Sequence, residues 1–349
     1  MKEKLNNMNK IEEKEKLNNA LKEMKISHDR QKVKEIFKSH TGFEKEKKEF
    51  LEASQLYIQF RGNLRPEREV ICYSGPPGVG KTTFVQTLSD AMGRDLEPVP
   101  CAGLTDPSEY SILGNEHKPS LVAWAILKNN CKNPIILLDE LEKVTDEKIQ
   151  ADLIKIFQAF KEKGVYKDPY FQQEIDLKYI DIFAAVNYDE KLATKLKDSV
   201  DLKKLSGYTN EEKMEILQKK KTKIQKAYNL EKDEVEKVLS EDVLNFLINT
   251  WIQEKGVRKL EQACHKIIEE YTYAKKTNQQ AFRGNKQQWI EKNVLSFRES
   301  HKLNWYHHLL FTSFGLGLIL LITWIFTRFL LKRKPIKEEA EEKQGGKNE

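Results

Sequence analysis

The chain has 349 residues, 33% charged and 39% hydrophobic, and 60 lysines and arginines against 54 aspartates and glutamates leave a formal charge of +6. That length holds about two domains with extensions, and so mild a surplus, much of it in alternating Lys/Glu stretches, gives no reason to expect a nucleic-acid partner. Cys72, Cys101, Cys131 and Cys264 are far apart, with no CxxC pair and no histidine at metal-ligand spacing, which fits a reducing compartment without structural zinc.

In chain order, residues 1–35 form a charged arm, helical or disordered, in which "EKLNN" occurs at Glu3 and again at Glu15. It offers too few apolar positions for a core; a solvent-exposed helix, a disordered arm and a weak coiled coil are the readings, with a partner-binding arm as the alternative. It also lacks the apolar run of a secretory signal. Residues 36–68 read as a helical lead-in, with Ile36, Phe37, Phe43, Phe50 and Leu51 at roughly helical spacing.

Residues 69–206 read as an α/β core. "VICY", Val70 to Tyr73, is a short buried strand, and "KTTFVQTLSDAM" is a helix stopped by Gly93. Pro98 and Pro100 confine "LEPVP" to a sheet edge. The unbroken run Ile135–Leu138 has the form of a parallel strand buried on both faces, and "YIDIFAAVN" repeats it, ending in Asn187. Residues 207–295 turn all helical: Thr209 and Glu212 make a capping box ahead of a Lys-rich helix. Val257, Leu260, Cys264, Ile267, Ile268 and Tyr271 mark the buried stripe of a later one.

The chemistry concentrates at strand ends. Gly75, Pro76, Pro77, Gly78, Val79, Gly80, Lys81 and Thr82 fit G-x-x-x-x-G-K-[ST], with Thr83 following. Between a strand and a helix, such glycines let backbone N–H groups face phosphates, the lysine meets the β and γ phosphates, and the threonine hydroxyl serves Mg²⁺. Asp139 and Glu140 close the apolar strand; the first would hold Mg²⁺ through water and the second would polarise an attacking water. The plainer alternative is an acidic pair at a helix start. Asn187 would orient the same water, and Arg258 in "EKGVRKLEQ" would reach the γ-phosphate.

Taken in order, "HTGFEKEKKEFLEA", "GPPGVGKTTF", "NPIILLDELEK", "FAAVN", "KLSGYTNEEKMEIL" and "EKGVRKLEQACHKI" resemble the AAA+ ATPase module of Lon proteases over about residues 36–295. The resemblance implies an AAA+ P-loop NTPase core with a five-stranded parallel sheet, an α-helical lid, and ATP with Mg²⁺ between them. It also implies assembly into a homo-oligomeric ring, usually a hexamer, that acts on protein clients. It places sensor one at Asn187, sensor two at Arg258, and the adenine-facing segment at His40–Phe43.

Three departures accompany the resemblance. Lon carries a Ser-Lys peptidase domain after the lid, whereas here a connector, 296–308, leads to an apolar stretch, so no peptidase activity is expected. The family's arginine finger aligns near Ser199, where Lys197, Lys203 and Lys204 offer charge without a planar fork. The aromatic grip of the first pore loop has its nearest match in Tyr110 with Ile112, Leu113 and Gly114.

Residues 309–331 read as a transmembrane helix, uncharged from Leu309 to Phe326, with Trp305, Tyr306 and Trp324 suited to interfacial belts. A buried core helix and a re-entrant insertion are the alternatives. Single-pass topology keeps the ATPase on the cytosolic or matrix-like side and carries the charged tail, 332–349, across. Lys332, Arg333 and Lys334 pull the other way under the positive-inside tendency. The expected function is a membrane-anchored, Lon-like ATPase that unfolds, extracts or remodels protein clients. The alternatives are an ATP-binding membrane scaffold with little hydrolysis and an ATPase partner of a separate protease.

Overall fold

The computed structural model describes residues 2–25, 30–50, 69–104, 109–250, 255–278, 281–282 and 285–292. The expected connector, transmembrane helix and tail, residues 51–68 of the lead-in, and a few residues of the helical segment lie outside them. Among the described residues no helix is long and apolar enough to cross a membrane. By internal contacts the chain divides into units of residues 1–269 and 270–349.

In the first unit, five strands form the central sheet: β1 (Val70–Ser74), β2 (Leu96–Pro100), β3 (Ile135–Asp139), β6 (Asp181–Val186) and β7 (Val200–Lys204), in the order β2-β3-β6-β1-β7. All four pairings are parallel. β2 lies at an edge, where Pro98 and Pro100 leave no central ladder short of a donor. β4 (Val165–Asp168) and β5 (Gln173–Asp176) form a separate antiparallel hairpin.

Alternation along β3 explains its unbroken apolar run. Ile136 and Leu138 enter one core cluster and Ile135 and Leu137 the other, all four fully buried. Each such side chain contributes about 1.5–3 kcal/mol, so helices must cover both faces. On one side sit α2 (Arg30–Ser39), with Phe37 in the core, and α3 (Lys81–Met92), which buries Phe84, Val85 and Leu88 and ends at Gly93 in the left-handed region. On the other sit α4 (Leu121–Asn129), capped by Ser120, and α5 (Glu147–Gln158), both feeding one core cluster.

Arg94 ties the amino ends of three strands together. Its buried guanidinium pairs with Asp181 at the start of β6 and donates to Asn133 O (2.7 Å), Pro134 O (3.2 Å) and Tyr179 O (2.8 Å). Each of its three nitrogens finds at least one oxygen, and Nη1 also reaches Met92 Sδ (4.0 Å), which is what makes a buried cation tolerable.

The amino-terminal arm is not solvated along its length. α1 (Lys2–Ala20) places Leu17 and Ala20 wholly inside the core cluster beside α4. Polar contacts extend the seam: Tyr170 Oη donates to Glu13 (2.9 Å), Gln173 to Asn18 (3.0 Å), and Lys132 N to Glu23 O (2.9 Å). Two buried apolar residues suffice because the rest of the seam is hydrogen-bonded, a pattern invisible to apolar periodicity.

A single turn, α6 (Thr194–Lys197), precedes β7, after which the chain is helical: α7 (Asn210–Tyr228), α8 (Lys232–Val238), α9 (Glu241–Thr250) and α10 (Arg258–Lys276). The Thr209–Glu212 capping box opens α7 in both directions. On α10, Leu260, Cys264, Ile267 and Ile268 are buried as the stripe requires, and Tyr271 is half-buried. In the second unit, a short helix, Lys286–Ile290, brings Trp289 edge-on to Phe282 at 5.3 Å.

Candidate functional site

Parallel register delivers three strand ends to one edge of the sheet. Ser74 is opposite Val186 and Asp139 opposite Ala185, so the loop after β1, the acids after β3 and Asn187 after β6 emerge side by side. The ladder's last bond runs from Gly75 N to Val186 O at 3.1 Å. The carboxyl edge of a parallel sheet, where neighbouring connections diverge, is where such folds bind ligands.

The loop from Gly75 to Gly80 then turns into α3. Gly78 and Gly80 adopt φ of +81° and +88°, which side-chain-bearing residues rarely enter. Space forbids side chains as well: a Cβ on Gly80 would stand 2.5 Å from Tyr208 Oη, and one on Gly78 2.9 Å from Arg258 Cβ. Val79 is fully buried and pegs the loop, while Pro77, Thr82 and Thr83 are exposed.

Lys81 is buried and donates to Gly75 O (2.6 Å), Pro76 O (3.1 Å) and Asn187 Oδ1 (2.8 Å). Burial lowers its pKa, and the carboxylates of Glu142, Asp139 and Glu140 oppose that shift. Thr82 Oγ1 donates to Asp139 Oδ2 at 3.1 Å, and Asp139 Oδ1 accepts the Glu140 N–H at 3.1 Å. Glu140 sits at φ +56°, strain of order 1–3 kcal/mol of the kind found at functional sites. That turn aims its carboxylate at Asn187 Nδ2, 3.4 Å away.

Lys81, Thr82, Asp139, Glu140 and Asn187 therefore form one connected group. Its chemistry suits a polyphosphate with Mg²⁺: backbone N–H groups and an ammonium for the anion, and a hydroxyl–carboxylate pair of hard oxygens for the cation. Mg²⁺ requires only one or two carboxylates, and among the described residues no larger metal-binding cluster occurs. The cysteines offer no competing chemistry: all four are buried, and burial pushes the thiols of Cys72, Cys101 and Cys264 up to about 12.

His40 and Phe43 lie beside the start of α3. Phe43 has φ +59° and packs at a tilt within a ring cluster, 5.2 Å from Phe84 and 5.5 Å from Tyr208 between centroids. His40 shares a hydrogen bond with Thr87 through Nδ1 (2.9 Å), and burial foremost pushes its pKa down to about 4. Arg258 is exposed at the start of α10, whose approach is very close: Val257 N donates to Gly78 O at 3.2 Å. A Cβ on Gly256 would overlap the Gly78 carbonyl.

Two expectations meet a different arrangement. Tyr110 is buried with its ring centroid 4.5 Å from that of Trp124, and Ile112 is buried too, so the aromatic assigned to a pore grip fills core space instead. Ser199 Oγ donates to Leu196 O (2.7 Å), and the nearby lysines are engaged within the chain: Lys197 and Lys204 by Asp189 (3.2 and 3.5 Å), Lys203 by Asp201 (3.2 Å).

Sequence reasoning missed three residues that complete the site. Asp189 also accepts Ser74 Oγ (3.2 Å), and Lys197 first among its partners holds its carboxyl below the usual range. Tyr208 bridges Phe43 and Gly80, and Glu142 accepts the Asn187 N–H (3.0 Å). Tyr208 stood inside the quoted "LSGYT", and Glu142 two residues past Glu140, but neither carried a signal of what it touches.

Comparison with known proteins bears on this geometry. Residues 71–207 match the ATPase family associated with various cellular activities (AAA). The chain is 31% identical over 254 residues to the Lon protease of Ureaplasma parvum serovar 3, covering 69% of this chain and 31% of that protein. It is 28% identical over 243 residues to the mitochondrial Lon protease homologue of Homo sapiens, covering 67% and 24%. The chain thus spans about a third or less of the length of these relatives. Among solved structures, the Thermotoga maritima RuvB Holliday junction branch migration motor overlaps 53% of this chain and 52% of its own at TM-score 0.38 and 17% identity, too distant to carry an argument.

Proposed function

We propose, from the premise that residues 71–207 are an AAA-family module related to that of Lon proteases, that the chain is a membrane-anchored ATPase. It hydrolyses ATP with Mg²⁺ to unfold, extract or remodel protein clients, without peptidase activity of its own. The observation that carries this reading is the continuous link Lys81–Asn187–Glu140 beside Thr82–Asp139, drawn from three strand ends.

In this reading Gly75–Gly80 and Lys81 grip the phosphates, and Thr82 and Asp139 hold the cation. Mg²⁺ held by them would supply Lewis-acid charge neutralisation to the triphosphate. Glu140 accepts a proton from the attacking water, and Asn187 fixes the Glu140 carboxylate. His40 and Phe43 border the base, and Arg258 on α10 answers the γ-phosphate. The subunits form a ring homo-oligomer of hexameric type, and the span at 309–331 holds it to the bilayer with the ATPase on the cytosolic or matrix-like side.

The test is a Mg²⁺-dependent ATPase assay on detergent-solubilised full-length protein beside a version ending at residue 308, with vesicle flotation of both. Turnover by both, and flotation of the full-length form alone, is the expected result. No turnover by the assembled full-length protein with any unfolded client sinks the hydrolase reading, and flotation of both forms sinks the anchor at 309–331.

One observation favours a second reading, an ATP-binding scaffold with little hydrolysis. The lysines near the finger position are neutralised by Asp189 and Asp201 of their own chain, and a trans arginine is worth about 10³–10⁵ in rate. Ser199→Arg separates the two: tight ATP binding with negligible turnover in both wild type and variant supports the scaffold.

A further inference from the structure

Glu142 stands three residues beyond Asp139, in the single 3₁₀ turn Leu141–Lys143 that follows the left-handed Glu140. An acid there would ordinarily point to solvent, yet this one is 8% exposed. Its Oε1 accepts the backbone N–H of Asn187 at 3.0 Å, and its Oε2 is buried with no hydrogen-bond partner. A buried carboxylate oxygen left unpaired is costly, so something must hold the side chain inward.

The bond it makes lies at a point of need. Asn187 is the first residue past β6, where the ladder ends with Val186 O accepting Gly75 N. Its own N–H has left the sheet, and the Asn187 side chain must stay between Lys81 Nζ (2.8 Å) and Glu140 Oε1 (3.4 Å). With the backbone free to turn about that N–H, the amide would lose both contacts together.

We propose that Glu142 is a positioning residue: by clamping the Asn187 N–H it fixes the Asn187 amide between Lys81 and Glu140, acting on the reaction without touching the nucleotide. The 3₁₀ turn makes this clamp and the Glu140 carboxylate parts of one rigid segment, so the acid that takes the proton and the amide that orients it move together. The catalytic consequence rests on the hydrolase reading above; the clamp itself does not.

Two measurements test the halves separately on full-length protein. The first is hydrogen exchange of peptides spanning 181–190 in wild type, Glu142→Ala, Glu142→Gln and Glu142→Asp. Glutamine keeps an acceptor of the same length, whereas aspartate keeps the charge and falls one methylene short. Alanine and aspartate should speed exchange at Asn187 by about tenfold or more, and glutamine should stay near wild type.

The second is steady-state ATPase kinetics with nucleotide binding by fluorescent ATP analogue. Alanine and aspartate should lower kcat by about tenfold with KM and analogue affinity within about twofold, and glutamine should restore kcat. Equal exchange at Asn187 in all four proteins overturns the clamp, as does aspartate protecting as well as glutamine. If alanine does not fold, the aspartate–glutamine contrast still decides. Lost protection with unchanged kcat overturns the catalytic half alone, and an inactive wild type with the exchange pattern intact indicts the hydrolase reading and leaves the clamp standing.

Discussion

Three side chains at the site make separable contributions. Lys81 meets two loop carbonyls and Asn187, so Lys81→Ala should remove the buried cation held inside the phosphate loop. Fluorescent ATP analogue titration should show affinity falling by about tenfold or more. Glu140→Gln keeps the shape and removes the base, so kcat should drop about 10²-fold or more while ATP stays bound; turnover near wild type would assign the base elsewhere. His40 gives a pH signature. Its imidazole takes a proton near 6.5 when unfolded but only near 4 when folded, so the unfolded chain binds more protons between those values. Stability is present above about 6.5 and is lost as pH falls toward 4. His40→Gln should flatten that slope, read as Tm at pH 4.5 and pH 7 by calorimetry.

Elements join at the two opposite edges of the sheet in different ways. At the amino edge Arg94 serves β2, β3 and β6 at once, so Arg94→Ala, which removes the buried ion pair with Asp181 and leaves three carbonyls without their donor, should cost about 3–5 kcal/mol in denaturant unfolding. Arg94→Lys should recover little, since an ammonium cannot reproduce the fork. At the carboxyl edge the contact is backbone against backbone. Any side chain at Gly256 wedges α10 away from Gly78, so Gly256→Ala should weaken nucleotide affinity more than it lowers Tm.

How legible these elements were depended on their physics. β1, β3 and β6 announce themselves because a strand buried on both faces must be apolar throughout, and α7 because Thr209 and Glu212 write its cap. β7, "VDLKK", is an edge strand with two lysines and an aspartate and carries no such run. The β4–β5 hairpin interrupts "VYKDPYFQQEID" without a diagnostic turn pair. At the site, Lys81, Asp139 and Asn187 were readable because their chemistry follows from type and place at strand ends. Glu142 and Asp189 were not, because their roles lie in partners 45 and 115 positions away.

At the scale of the molecule, the charges near the ends of β1, β6 and β7 are closed on themselves: Asp189 holds Ser74, Lys197 and Lys204. Asp189→Asn should release Lys204 and loosen Lys197, which keeps its bond to the Asp189 carbonyl (3.4 Å); if those lysines serve a neighbouring subunit, turnover at fixed subunit concentration should rise, with sedimentation reporting the oligomeric state of both proteins. The seam of α1 has its own energetics. Leu17→Ala should cost about 2–5 kcal/mol, and limited proteolysis should find cleavage in the arm before any in the sheet.

That seam also orders events in time. α1 and the residues just past it are made well before those that receive them: Lys25 meets Asn133 across 108 positions, Asn18 meets Gln173 across 155 and Glu13 meets Tyr170 across 157. On a ribosome adding about 5–20 residues per second, the arm waits on the order of ten seconds with Leu17 uncovered before its berth exists. The dense lysines and glutamates around that leucine have a use there that the finished protein no longer displays, keeping an early segment in solution until the groove that will seat it has been synthesised.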